Sequence, residues 1–337
     1  MTGAPGPART GVPGGVGLRV EEYLEFLGKE YLGDYVRSGG AAVRLVVVGA
    51  EEVATRWHEG LSATAGAYGF THVGLDAAST RIHLMHEVFL AVSRRLDWSA
   101  TARFAVRAAY DRLGLPAPEG ELSVPEVAAY HEIDVRELGR SLRRSLEADI
   151  LGDVSLAHEF RVAMLRLCQA ETTSFEVDAA ERAAVVGWLR GEPVPLGRLR
   201  AARLFSRVGR HNARPLLQSM ASWLARTGNA GLVLDLDLTR LAVARRPPAE
   251  ARHGVYYSKA AVLDAYEMIR QLIDATDTLR CLLVTATLPP ELVTDDGRGL
   301  PAYAALQLRV ADEVRDRRRA NPFAALVRLE TRVEAVP

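Results

Sequence analysis

Apolar positions along the chain follow two different periods. Near-unbroken aliphatic runs occur at Val43-Arg44-Leu45-Val46-Val47-Val48, at Gly231-Leu232-Val233-Leu234-Asp235-Leu236-Asp237 and at Cys281-Leu282-Leu283-Val284-Thr285-Ala286-Thr287. Runs of this length and composition suit strands buried on both faces of a parallel sheet. A shorter strand is predicted at Thr71–Asp76. Between these runs the spacing changes to that of a helix. Tyr23, Leu24, Leu27 and Tyr31 share one face of a helix predicted over Val20–Tyr31. Further helices are predicted over Val53–Ala67, over Ile82–Val92 and over Arg214–Arg226, with Gly228 placed to stop the last. Val262, Tyr266, Ile269 and Ile273 mark one more helix face. Strands alternating with helices predict an α/β fold with a mostly parallel sheet.

The stretch 96–200 differs: it keeps helical periodicity and has almost no strand signal. Asp178 with Glu181 reads as a capping box at a helix start, and Gly191 is placed to end that helix. Residues 1–17 are rich in Gly and Pro and poor in large apolar groups, which predicts a disordered tail. The expected organisation is therefore a tail over 1–17, the first part of an α/β domain over 18–95, a helical insertion over 96–200 and the second part of the domain over 201–337.

Composition narrows the function classes. The 42 basic and 42 acidic residues cancel, so no global field draws the protein to nucleic acid or anionic lipid. Cys168 and Cys281 are the only cysteines and match no zinc spacing, so a reducing compartment is expected. With no signal-peptide pattern and no membrane-length apolar run, a cytoplasmic protein without a membrane partner is expected. Lys29 and Lys259 are the only lysines. A lysine for phosphate binding therefore has two sources.

The order of the elements carries the functional signal. A buried strand, a glycine turn and a helix come first, a strand ending in Asp comes much later, and a third buried strand ends in Thr287. This order resembles that of P-loop NTPases of the AAA+/ASCE-like class, in which the turn binds phosphate, the acid binds metal and the polar residue senses the γ-phosphate. A working phosphate loop reads G-x-x-x-x-G-K-[ST], so that backbone N–H groups, a lysine and a hydroxyl surround the phosphates and Mg²⁺. The corresponding stretch here is Gly49-Ala50-Glu51-Glu52-Val53-Ala54-Thr55-Arg56. Gly49 is kept, but Ala54 replaces the second Gly, Thr55 the Lys and Arg56 the hydroxyl, and two glutamates stand where phosphate would lie. Asp235 and Asp237 share one side of their strand, and either register lacks the Glu that activates water in this class, because Leu236 and Leu238 follow. The two carboxylates are expected to reach solvent or an arginine. A shared metal is the weaker reading, and no metal site is expected.

Further segments extend the likeness. Tyr31-Leu32-Gly33-Asp34-Tyr35-Val36 with Gly39-Gly40, Trp188-Leu189-Arg190-Gly191-Glu192, Asn212 with its following helix, Ala265 to Asp274, Leu283 to Leu292, and Arg298-Gly299-Leu300-Pro301 with Tyr303, Leu306 and Arg309 occur in one order. Over roughly 25–330 the chain resembles the ATP-binding proteins of BREX-type phage-defence systems. The resemblance implies a P-loop NTPase fold and membership of a defence complex. The departures gather in the two catalytic motifs. A pseudo-ATPase is therefore expected, a non-hydrolysing scaffold or regulatory subunit with no catalytic residue and no bound cofactor. ATP with Mg²⁺ would bind weakly at most. The alternatives are a slow nucleotide-binding ATPase that drives assembly and a nucleic-acid-binding adaptor that contacts DNA. Expected partners are other defence subunits, a helicase among them, and further copies of the chain. In such assemblies an arginine reaches the neighbour's nucleotide site, and Arg298 or Arg309 would supply it. The C-terminal extension common in these NTPases is expected to be absent.

Two features point elsewhere. His83, His86 and Glu87 share a predicted helix, but they do not match a zinc-protease pattern. Arginine clusters at Arg143-Arg144, Arg245-Arg246 and Arg317-Arg318-Arg319 read as solvated faces first and as contacts for a phosphate backbone or acidic partners second.

Overall fold

The structure is a computed structural model that describes residues 17–172, 177–246, 248, 250, 253–311 and 320–330. Nearly all of the expected tail and the Arg317–Arg319 cluster lie outside the described residues.

Six parallel strands form one sheet: β1 (Leu18–Arg19), β2 (Ala41–Val48), β3 (Thr71–Asp76), β4 (Leu232–Asp237), β5 (Leu282–Leu288) and β6 (Leu326–Glu330). Their order is β1-β6-β2-β5-β4-β3. The Thr287 strand β5 thus lies between the loop strand β2 and the acid strand β4. β2, β4 and β5 are buried along almost their whole length, as their unbroken apolar runs predict. This all-parallel α/β sheet flanked by helices is consistent with a P-loop NTPase-like fold.

Two layers of helix cover the sheet. On one face lie α1 (Val20–Phe26), a π-helical segment (Leu27–Tyr35) and α2 (Glu51–Ala67). Val53, Trp57, Leu61 and Ala65 recur every fourth residue along α2 and are all buried. Each large apolar side chain in that stripe contributes about 1.5–3 kcal/mol by leaving water. The stripe packs with Tyr23, Leu27, Val46, Val233 and Leu283 in one cluster. Burial therefore holds α2 against the sheet without help from a ligand.

The other face carries the larger core, in which β2, β4 and β5 meet α3 (Met85–Ser93), α10 (Ala213–Arg226) and α11 (Lys259–Asp274). The described part of 96–201 is helical: α4 (Trp98–Arg112), α5 (Val124–Tyr130), α6 (Val135–Ile150), α7 (His158–Glu171), α8 (Ala179–Arg190) and α9 (Leu196–Ala201). Trp98, Phe160 and Trp188 from these helices share that same buried cluster. The Asp178 carboxylate accepts from the Glu181 amide at 2.6 Å, and Gly191 ends α8 at φ 71°, as their sequence positions predict. Two short helices follow β5, α12 (Glu291–Thr294) and α13 (Ala304–Val310). No described helix is long and apolar enough to cross a membrane.

Candidate functional site

The C-terminal edge of the parallel strands is where ligands bind in open α/β sheets. On the face that α2 covers, strand register gives one row with polar groups at mid-sheet and a second nearer that edge. Arg44, Thr285, Asp235 and Gly74 line up across β2, β5, β4 and β3, and Val46, Thr287, Asp237 and Asp76 form the next row.

The turn after β2 is the part of the site that differs most from a phosphate cradle. Only Gly49 and Ala50 separate the strand from α2, and the first helical bond already runs from the Ala54 amide to the Ala50 carbonyl at 3.0 Å. A cradle needs several consecutive loop amides to converge on one anion. Here Glu51, Glu52, Ala54, Thr55 and Arg56 are helical instead. Thr55 and Arg56 are exposed, and Arg56 stands 3.7 Å from Glu21. Ala50 caps α2 without a side-chain bond, and two glutamates occupy its first turn. Negative charge there complements the helix dipole and repels a phosphate for the same reason. Neither lysine compensates: Lys29 pairs with Glu25 at 2.6 Å, and Lys259 opens α11. The residues present do not fit a triphosphate held in the usual way.

Side chains of α2 also engage the groups that would face a γ-phosphate and its metal. The Trp57 indole N–H donates to Thr287 Oγ1 at 3.1 Å. That indole is fully buried and stacks on Tyr23 with ring centroids 5.7 Å apart. One residue on, His58 Nδ1 lies 2.5 Å from Asp235 Oδ2, and Asp235 also accepts from Thr285 Oγ1 at 2.7 Å. Asp235 is 1% exposed, so the expectation that it reaches solvent or an arginine is corrected: its partners are a histidine and a threonine. His72 Nε2 stands 3.7 Å from Asp235 Oδ2.

The electrostatics follow from this geometry. Burial pushes the Asp235 carboxyl up, but its interactions with His58, His72 and Thr285 outweigh it and hold the group below its ordinary 3.8. Burial pulls His58 down, and the Asp235 bond with the nearby charges of Asp235, Asp237 and Asp76 raises it above its ordinary 6.5. The arrangement is a buried carboxylate with an imidazole partner on the acid strand. Asp237 is half-buried, and one of its oxygens caps the Thr239 amide at 2.8 Å. Asp76 beside it caps Ala78 at 2.6 Å. Among the described residues no group of three or more His, Cys, Asp or Glu side chains is arranged to hold a metal ion.

The remaining expected site residues lie elsewhere. Arg298 is 8% exposed, and its guanidinium donates to the carbonyls of Leu241 and Tyr257. Within the chain it braces the segments around Leu241 and Tyr257. Arg309 is engaged as well, pairing with Asp274 and donating to the Ala305 carbonyl at 2.8 Å, which ties α13 to α11. His86 lies 3.8 Å from its neighbour Glu87, and His83 packs edge-on against Tyr257.

Sequence reasoning missed Trp57, His58, His72 and Thr285. A usable signal exists for Trp57, which falls on the i, i+4 stripe of α2, and none exists for the pairing of residues 58 and 235, which only the fold brings together.

Comparison with curated proteins and with solved structures found no match. A family model, that of the BREX system ATP-binding protein BrxC/D, matches residues 124–334, more than half of the chain. The matched stretch contains the acid strand β4, the Thr287 strand β5 and α11, and it begins after β2 and α2. With the P-loop-like strand order already in hand, this match shows that the chain belongs to the BREX system ATP-binding protein BrxC/D family.

Proposed function

We propose that the protein is a non-hydrolysing scaffold or regulatory subunit of a BREX antiphage system, a P-loop NTPase-like fold that acts through surfaces rather than through ATP turnover. The observation that carries this reading is the double engagement by α2 of the acid strand and the sensor position, His58 on Asp235 and Trp57 on Thr287. A nucleotide would have to displace both contacts and then meet Glu51 and Glu52. Other BREX subunits are the partners that family membership implies. A helicase, or further copies of this chain, are the specific partners we infer from the loss of a ligand-ordered site.

Calorimetric titration with ATP and Mg²⁺ tests the reading, together with a phosphate-release assay. No saturable binding in the micromolar range and no turnover above background are expected. Micromolar binding, or turnover that disappears in Asp237→Ala, overturns it. Pull-down from the native host with light scattering of the purified chain should recover a stable complex or a self-associated form.

A further inference from the structure

A second hollow lies at the same sheet edge, beyond the ends of β3 and β4. It encloses about 730 Å³, and its polar lining comes from Ser79, Arg81, His83, Arg240, Arg246 and Ser258. Among the described residues no carboxylate lines it. The hollow beside Ala50 has the opposite character, with Glu51, Glu52 and Glu59 against Arg56 alone. The two hollows thus differ in the sign of their lining, although Asp76 and Asp237 end β3 and β4 between them.

The basic hollow is assembled from segments far apart in sequence. Arg81 and His83 follow β3, Arg240 and Arg246 follow β4, and the Ser258 hydroxyl caps the start of α11. Arg240 donates to the Val255 and His253 carbonyls and so shapes the wall. Arg81 and Arg246 are exposed, and neither pairs with a carboxylate among the described residues. Arg210 extends the basic strip past His83, and Asp264 lies close enough to His83 to act against it. The buried Nδ1 of His83 has no hydrogen-bond partner.

We propose that this hollow docks the phosphodiester backbone of a nucleic acid. Arginine suits phosphate because its planar fork donates two parallel hydrogen bonds. Positive groups spread from Arg210 to Arg246 match a linear polyanion better than one phosphate. The half-buried Tyr256 and the His83 imidazole are the rings in the wall, beside the positive groups. Contacts of this kind position a nucleic acid without reading its sequence. The inference is independent of the scaffold reading, since neither Arg81 nor Arg246 touches α2 or the Asp235 cluster.

The test is fluorescence anisotropy of the full chain with labelled DNA of about 20 nucleotides, longer than a typical single-strand footprint. Single-stranded and duplex forms are run across a salt series. Binding that weakens steeply with salt is expected. Arg81→Glu and Arg246→Glu should each weaken it by about tenfold and flatten the log–log salt slope by about one contact. Arg136→Glu, an exposed control on α6, should change neither. Circular dichroism melting checks that each variant is folded. Three results overturn the proposal: no salt-dependent binding, equal loss in the Arg136→Glu control, and saturable binding of inorganic phosphate or ATP without any binding of DNA.

Discussion

At the residue scale, Asp235 is the most consequential side chain on the sheet. A buried carboxylate is costly to leave unpaired, and breaking a buried ion pair from one side costs about 3–5 kcal/mol. His58 is only partly buried, with 27% of its side chain exposed, so water can reach Asp235 once the ring is removed. His58→Ala should therefore cost near the lower end, about 3 kcal/mol. The pH dependence has a definite sign. Asp235 is held below its ordinary 3.8, so its contribution is present above that value and is lost as pH falls through its lowered folded value. His58 is raised above its ordinary 6.5, so its contribution is full below that value and is lost as pH rises through its raised folded value. The wild-type advantage over His58→Ala should peak between those two ordinary values and shrink on either side. Urea midpoints from acid to mildly alkaline pH measure this. A constant gap at every pH would mean that His58 acts by packing rather than by charge.

At the element scale, the segments that sequence reasoning placed well are those whose local chemistry is sufficient. The runs in β2, β4 and β5 are apolar on both faces because helices cover both, and no polar alternation is needed. Asp178 and Gly191 delimit α8 by rules that act within one turn. Substituting Asp178→Ala should cost about 1 kcal/mol in urea unfolding, the usual value of an N-cap. Gly191→Ala should cost more, because φ there is 71° and an added Cβ would lie 2.7 Å from Leu90. If the two substitutions cost the same, the Leu90 contact is slack. Other elements were not legible. β6 alternates half-buried and buried positions over five residues, and β1 has two residues, so neither presents a run. The π-helical turn over Leu27–Tyr35 continues a helix periodicity that predicts only its first half. The start of α2 at Glu51 was hidden for a different reason. A pattern with Gly49 as its first glycine implies a loop through residue 53, whereas two glutamates in a first turn favour a helix. The helix preference agrees with the structure, and it is what removes the cradle.

At the scale of the whole molecule, the question is whether the phosphate site is damaged locally or whether the fold has settled around its loss. The two cases differ in what a repair achieves. Restoring the motif takes Ala54→Gly, Thr55→Lys and Arg56→Ser, with Leu238→Glu for the water-activating position. Residues 54–56 are inside α2, so Ala54→Gly would cost about 1 kcal/mol, the usual penalty of glycine in a helix interior, without creating a loop. A lysine introduced by Thr55→Lys would stand on the exposed side of α2, since Thr55 is exposed while the buried stripe runs through Val53 and Trp57. Leu238 is fully buried in the core on the opposite face of the sheet from α2. A glutamate there would be an unpaired buried charge and would cost several kcal/mol, without facing the turn at Gly49. Trp57 and His58 would still engage Thr287 and Asp235. The fourfold variant should accordingly be less stable than the wild type and show no ATP hydrolysis. Because it can fail by misfolding, the triple variant that keeps Leu238 is the sharper measurement: it should fold, as a melting curve shows, and still bind no ATP in the micromolar range. Micromolar binding by the folded triple variant would mean that α2 can unwind at its first turn around a phosphate, and that the site is damaged rather than closed.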